Sequence, residues 1–276
     1  MALYTASLNS GSNGNCYYVG NADEAVLIDV GISCREVEKR MKRLNLNPKQ
    51  VKAIFVSHEH GDHIHGVPAF AAKFQVPVYI TPATYRAANL SLTSVNVRDF
   101  TKHQAIKIGE LQVVPFPKKH DAADPHSFVI QHKGINVGVI TDIGRACDQV
   151  IEYFKMCHAV FLESNYDAEM LDKGGYPLAL KNRIRNGFGH ISNHEAATLL
   201  MQHGPDFLSH VFLSHLSRNN NSPERALATF QGFAESRQII IAPRDKESPL
   251  FLIDGSMPTD IKSSILVPEG LQLKLF

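Results

Sequence analysis

Short runs of apolar, β-branched and aromatic residues alternate with turn-forming clusters along the first half of the chain. Leu3 to Leu8, Cys16 to Val19, Ala25 to Val30, Ala53 to Val56, Val76 to Ile80, Leu111 to Pro115, Ser127 to Gln131 and Val137 to Thr141 are bounded by Gly, Asn, Asp or Pro and predict strands. Helical patterns interrupt them at Ser33 to Leu44, Gly66 to Phe74 and Thr81 to Leu90; Ser33 with Glu36 has the spacing of a capping box. The second half is richer in helix, with segments expected from Tyr166 onward, from Asn193 to His203 and from Pro223 to Ser236, the last opened by Ser222-Pro223-Glu224. Val211 to Leu213 and Gln238 to Ile241 read as buried strands between these helices. A strand-rich half followed by helix–strand units predicts an α/β fold, two packed sheets with helices outside, in one domain spanning residues 1–276.

Composition narrows the setting more than the chemistry. A chain of 276 residues, 44% hydrophobic and 20% charged, can bury a large core without disulfides. Lys and Arg total 28 against 27 for Asp and Glu, so the net charge of +1 gives no global attraction to polyanions or membranes. Any nucleic-acid binding has to rest on a local patch. Cys16, Cys34, Cys147 and Cys157 form no Cys-x-x-Cys pair, and nothing before Cys16 resembles an export signal, so a reduced, cytoplasmic protein is expected. No apolar run approaches the roughly 20 residues of a membrane span.

The fourteen histidines matter for where they fall. Phe55-Val56-Ser57-His58-Glu59-His60-Gly61-Asp62-His63 puts three histidines and an aspartate just past an apolar strand, where a helix begins. Such a loop can aim four side chains into one cavity, and a mixed imidazole and carboxylate set suits zinc, manganese or iron. One loop cannot complete two coordination spheres, so distant strand ends must contribute. His120 follows the run ending at Phe116, Asp142 follows Val137 to Thr141, and His215 follows Val211 to Ser214. Each alone also fits a surface residue or a core histidine with a satisfied hydrogen bond.

The order Asp29, His58 to His63, His120, Thr141-Asp142, Ser214-His215 resembles the five motifs of the metallo-β-lactamase superfamily. The resemblance implies a four-layer αββα sandwich with two divalent metal ions at one edge of the paired sheets. His58, His60 and His120 would hold one ion and Asp62, His63 and His215 the other, with Asp142 bridging. Asp29 would hydrogen-bond a ligating histidine and fix its orientation; by itself it also fits a turn at a strand end. Asp62, where a true β-lactamase has a cysteine-containing site, favours a hard two-metal centre. Water or hydroxide shared by two such ions attacks a phosphoester in line.

Further phrases favour a nuclease. Gly189-His190-Ile191-Ser192-Asn193 resembles an element of ribonuclease Z that supplies a histidine near the scissile phosphate, and Glu163 falls where that enzyme carries the orienting glutamate. Asp62, His190 and Glu163 are thus the candidate catalytic residues, although His190 also fits a loop or cap and Glu163 a surface ion pair. Ser192, Asn193, Ser217, Arg218 and Asn220 are candidates to receive phosphate oxygens; an Asn-rich turn is the plainer account of the last of them.

Ser10 to Asn15, His120-Asp121-Ala122, Leu162 to Tyr166, Gly189 to Asn193 and His215 to Asn220 together resemble the YycJ/WalJ branch, for which a 5′-directed DNA exonuclease activity is proposed. Nucleic acid, DNA ahead of RNA, is the expected partner. The chain lacks the insertion that the cleavage-factor and ribonuclease J group carries between the Asp142 and His215 motifs. It also lacks the long arm of ribonuclease Z, so grip is expected from a basic rim of Lys118, Lys119, Lys181, Arg183, Arg185 and Arg218. Asn9 to Asn15 fits either a loop over the metals or a hairpin turn. The competing enzymatic reading is a thioester or lactone hydrolase of the same fold, and a third is a redox or di-iron protein.

Overall fold

Alternate residues of the central strands face opposite ways, and the two facings settle into different cores. In β3 (Ala25–Ile28), Val26 and Ile28 point at the opposing sheet, whereas Ala25 and Leu27 point at helices. In β11 (Ala159–Glu163), Ala159 and Phe161 do the first and Val160 and Leu162 the second. Strands buried on both faces need covering on both, and the result is four layers: helix, sheet, sheet, helix. The structure is a computed structural model that describes residues 2–257 and the strand β15 (Ile265–Leu266). Residue 1 and residues 258–264 and 267–276, which the one-domain expectation included, lie outside it.

The first sheet runs β14 (Phe251–Ile253), β1 (Leu3–Asn9), β2 (Cys16–Gly20), β3, β4 (Val51–Phe55), β5 (Val78–Tyr79), β6 (Val97–Arg98), antiparallel as far as β3 and parallel beyond it. The second runs β15, β13 (Gln238–Ile241), β12 (His210–Ser214), β11, β10 (Ile135–Ile140), β9 (His126–His132), β8 (Leu111–Pro117), β7 (Ile106–Ile108), parallel from β15 to β10 and antiparallel from there. Helices α1 (Cys34–Arg43) and α3 (Val67–Phe74) cover the first sheet. The second is covered by α5 (Asp148–Phe154), α8 (Asn193–His203) and α9 (Pro223–Phe230). Three shorter helices, α2 (Gly61–Ile64), α4 (Pro82–Ala88) and α6 (Ala168–Lys173), and the eight-residue α7 (Leu178–Arg185) complete the described chain. No described helix is long and apolar enough to cross a membrane.

Several elements depart from the sequence expectation. The helix expected from Tyr166 starts at Ala168, because Tyr166 is held in a bridge to Ser192 and the Asp167 side chain caps the Met170 amide. The helix from Pro223 stops at Phe230 and tightens into a 3-10 turn over Gln231–Phe233, where Gly232 carries little helical preference. The capping box at Ser33 is only half made: Ser33 accepts from the Glu36 amide, but Glu36 bonds Lys39. The full box belongs to Ser192 and Glu195. β11 was not foreseen, nor were β6, β7, β14, α5 and α7.

Between the sheets, Phe161 stacks on Phe212 at 4.5 Å between centroids and meets Tyr17 at 4.9 Å. Phe161→Ala leaves a cavity that neither sheet can close, and should cost about 3–5 kcal/mol in urea unfolding. A loss under about 1 kcal/mol would mean that this layer is loosely packed.

Candidate metal centre

The chain's metal-type side chains leave from strand ends. Asp29 follows β3, Ser57 to His63 follow β4, His120 follows β8, Asp142 follows β10, Glu163 ends β11 and His215 follows β12. Asp29, Asp142 and His215 are left-handed, with φ of 59°, 53° and 57°. Each costs roughly 1–2 kcal/mol for an L-residue, and each turns the chain sharply at the sheet edge. Gly31 lets the His58–His63 loop come close: a Cβ there would stand 1.7 Å from the Asp62 carbonyl oxygen, which accepts from the Asn15 amide at 2.7 Å.

Two interlocked groups of donor atoms result. In one, His58 Nε2 lies 3.1 Å from His60 Nδ1, which lies 3.4 Å from His120 Nε2. In the other, His63 Nε2 and His215 Nε2 lie 3.6 and 3.5 Å from Asp62 Oδ2. Asp142 reaches both, with Oδ2 3.2 Å from His63 Nε2 and Oδ1 3.5 Å from His215 Nε2 and 4.0 Å from His120 Nε2.

Behind four of these histidines a hydrogen bond occupies the other ring nitrogen. His63 Nδ1 meets Asp29 Oδ2 at 2.7 Å, His58 Nδ1 meets Ser57 Oγ at 2.8 Å, and His120 Nδ1 meets the Gly189 carbonyl at 2.9 Å. His215 Nδ1 has Asn165 Nδ2 at 3.1 Å and Glu163 Oε1 at 3.4 Å. Ser57 Oγ also donates to Asp29 at 2.7 Å, so one aspartate steadies two rings. Backing of this kind fixes each ring and leaves Nε2 facing inward. The sequence expectation gave Ser57, Asn165 and Asn15 no role of their own at the site; Ser57 has the signal of preceding His58, and the two asparagines fall within stretches, Ser10 to Asn15 and Leu162 to Tyr166, that carry the resemblance to the YycJ/WalJ branch.

Electrostatics separates the two groups. Burial pushes His58 far down and His120 to about 4. For His215 burial acts the same way, but Asp142, Asp62 and Glu163 outweigh it and hold the ring up to about 10; His63 is raised likewise by Asp142, Asp29 and Asp62. Asp62 resists burial and falls to about 2 beside His63 and His215. The carboxylates that raise His63 and His215 concentrate negative charge in the same place, which divalent cations would balance. Asp142 Oδ2 and His215 Nε2, both buried, have no hydrogen-bond partner although they face the middle of the cluster. Unsatisfied donors and acceptors of this kind are expensive in a fold unless a ligand takes them, and the donor set fits divalent cations.

A family model, the metallo-beta-lactamase superfamily, matches residues 10–169. The chain belongs to the metallo-β-lactamase superfamily. It is 32% identical to exodeoxyribonuclease YycJ of Bacillus anthracis, over 95% of this chain and 99% of that one. It is 31% identical to ribonuclease J of Mycoplasma genitalium over 35% of this chain and 17% of that protein. Among solved structures, the metallo-beta-lactamase fold protein YhfI from Bacillus subtilis superposes with a TM-score of 0.70 at 16% identity, covering 89% of this chain and 99% of that one. The resemblance to the YycJ/WalJ branch drawn from the motifs agrees with these likenesses. As a superfamily member the chain is a metal-dependent hydrolase, and the fold implies divalent metal ions.

In this metallo-β-lactamase-fold hydrolase, His190 and Glu163 also come to the centre. His190 Nδ1 meets Glu163 Oε1 at 2.7 Å and lies 3.8 Å from Asp142, while Glu163 Oε2 accepts from the Ile143 amide at 2.7 Å. Glu163 is fully buried, so it is no surface ion pair; burial would raise its carboxyl, but His190 keeps it below the usual range.

The phosphate candidates fare less evenly. Ser192 is taken up by the capping box, and Asn193 exchanges amide bonds with Asn221 while accepting from Ser164. Asn220 is buried and cannot meet a polymer at the surface. Ser217 is half-buried and Arg218 exposed.

The expected rim needs correction too. Lys118 is buried and donates to the Thr141 carbonyl at 2.7 Å; burial lowers its ammonium from the usual value, with Asp142, Asp29 and Glu163 opposing. Arg183 pairs with Asp121 at 2.5 Å, Arg185 pairs with Asp172 at 2.7 Å, and Lys181 bonds the Asp172 carbonyl at 2.7 Å. Lys119 remains exposed. Asn9 to Asn15 joins β1 to β2 as a hairpin, yet Asn15 Nδ2 also reaches His63 Nε2 at 3.0 Å and Asp62 Oδ2 at 3.2 Å.

Asp142→Ala removes the carboxylate common to both donor groups and is expected to bring bound divalent metal, read by elemental analysis, close to zero. Full metal content would take Asp142 out of the bridging position. Gly31→Ala should push the Asp62 backbone aside and weaken zinc binding by about tenfold or more in a chelator competition.

Proposed function

We propose that this chain is a dinuclear-metal phosphodiesterase that degrades nucleic acid as an exonuclease, DNA in preference to RNA. The observation that carries the reading is Asp142 standing between two histidine-rich donor groups with a carboxylate-backed histidine, His190, beside them. His58, His60 and His120 with Asp142 would hold one ion, and Asp62, His63 and His215 with Asp142 the other. Zinc or manganese suits this mixture of imidazole and carboxylate, and iron is compatible with it. When bound, the ions supply an activated water nucleophile and offset the charge that grows on phosphate oxygens.

The chain's own residues do the rest. Asp29 and Ser57 hold the His63 and His58 rings in register, and Asp62 and Asp142 orient the attacking water. Glu163, anchored on the Ile143 amide, accepts from His190 Nδ1 and fixes the orientation of the ring. Among the described residues His190 Nε2 has no hydrogen-bond partner, so this nitrogen is available to donate its proton to the leaving oxygen. DNA is favoured because a relative spanning nearly the whole chain is named an exodeoxyribonuclease, whereas the ribonuclease J likeness covers about a third of it.

End-labelled single- and double-stranded DNA and RNA, assayed with Mn2+, Mg2+ and Zn2+, test the proposal. Stepwise shortening of DNA is expected. Turnover of glutathione thioesters or lactones with no phosphodiester cleavage would replace it with the small-molecule reading. His190→Ala should lower kcat by about 100-fold or more while metal content stays at the parent level; loss of metal in that variant would contradict a proton-donor role.

A further inference from the structure

β12 and β13 are parallel neighbours, and the loops that leave their carboxyl ends enclose a cleft of about 540 Å3. This is the position at which open parallel sheets bind ligands, and the size suits one small molecule or one residue of a polymer, roughly 300–1,000 Å3. The strand that delivers His215 to the metal centre is the same one that delivers Leu216 and Arg218 to the cleft. Ser10 couples the two places: its amide donates to the Pro243 carbonyl at 3.1 Å, and its hydroxyl accepts from the His215 amide at 2.8 Å.

The lining is of two kinds. Leu216, Ile241 and Pro243 form an apolar floor, and the guanidinium groups of Arg218 and Arg244 stand at its side. Arg244 is fixed: Nη1 donates to the Leu216 carbonyl at 2.6 Å, and the group packs so closely on Gly11 that a Cβ there would lie 2.6 Å from Nη1. Among the described residues neither arginine forms an ion pair within 4.0 Å, though Asp245 also lines the cleft, beside Lys246. Burial pulls the Arg244 guanidinium below its usual range, with Asp245 opposing. The amino end of α9, capped by Ser222, opens on the same space and adds positive potential. An apolar surface next to two unpaired guanidinium groups, which stay charged and match phosphate geometry, has the chemistry of a nucleotide.

We propose that this cleft holds one nucleotide of the strand being cut, its base on the Leu216–Ile241 floor and its phosphate against Arg218 and Arg244. The assignment rests on the phosphodiesterase reading and adds to it a subsite that grips the strand beside the scissile bond. It also explains how a chain of net charge +1 would hold a polyanion, when three of the six basic residues expected at the rim, Lys118, Arg183 and Arg185, are buried or paired.

The test is equilibrium binding of a fluorescein-labelled, phosphorothioate-linked oligothymidylate to the metal-loaded protein at 50 and 200 mM salt. Arg218→Gln and Arg244→Gln are each expected to weaken binding about tenfold at the lower salt. Each should also flatten the log K against log salt slope by about 0.7, the value for one phosphate contact on a single strand. Ser217→Glu, which puts a negative charge on the cleft wall, should weaken binding similarly. It keeps the test open with Arg218→Gln if Arg244→Gln fails to fold. Affinity within twofold of the parent together with an unchanged slope in Arg218→Gln and Ser217→Glu overturns the cleft. Parent turnover of bis(p-nitrophenyl) phosphate separates the two failures. Its absence defeats the phosphodiesterase reading and the subsite with it, whereas its presence alongside unchanged oligonucleotide binding in the variants defeats the subsite alone.

Discussion

Four carboxylates, Asp29, Asp62, Asp142 and Glu163, converge on one edge of two packed sheets, three of them almost wholly buried, and positive charge must meet them there. Burying anions in a protein interior costs several kcal/mol each unless cations or hydrogen bonds compensate. Two different solutions are visible. Asp29 and Glu163 are satisfied by the protein itself, through Ser57 and His63 in one case and Ile143 and His190 in the other. Asp142 is left with an oxygen that no hydrogen bond satisfies, among the His63, His120 and His215 rings, and that shortfall is what fits the edge to hold divalent cations.

Rigidity follows from the same arrangement. Ring nitrogens turned away from the centre are tied to Asp29, Ser57, Gly189 and Asn165, so the imidazoles stand ready before any cation arrives. Left-handed residues at three strand ends spend folding energy on pointing these groups inward. The cores on either side of both sheets supply the stability that makes such strain tolerable.

The side proposed to face the polymer is organised differently. Lys118, which reads from the sequence as a surface cation, is a buried strut on the residue before Asp142, and Ser192 and Asn193 knit α8 to the loops around it. Arginines that do pair, Arg183 and Arg185, use carboxylates of their own chain. Arg218 and Arg244, which among the described residues form no ion pair within 4.0 Å, follow β12 and β13, beside the strand end that carries His215.

The amino-acid sequence by itself determined two packed sheets with helices outside, through strand periodicity, and pointed to the superfamily and its αββα sandwich through a resemblance carried by a histidine-rich loop and the residues after later strands. It also carried the order of the ligand-type residues, since each follows an apolar strand. Only the tertiary structure decided which of these side chains share donor groups, that Ser57 and Asn165 back them, and that Asn220 and Lys118 are buried. β11, an apolar run of the same kind as β12 and β13, was not foreseen, so Glu163 at its end also fitted a surface ion pair until packing placed it inside. Burial and pairing depend on residues far apart along the chain, as with Ser10 and His215 or Asp29 and His63. No local pattern encodes such distances, so packing had to settle them.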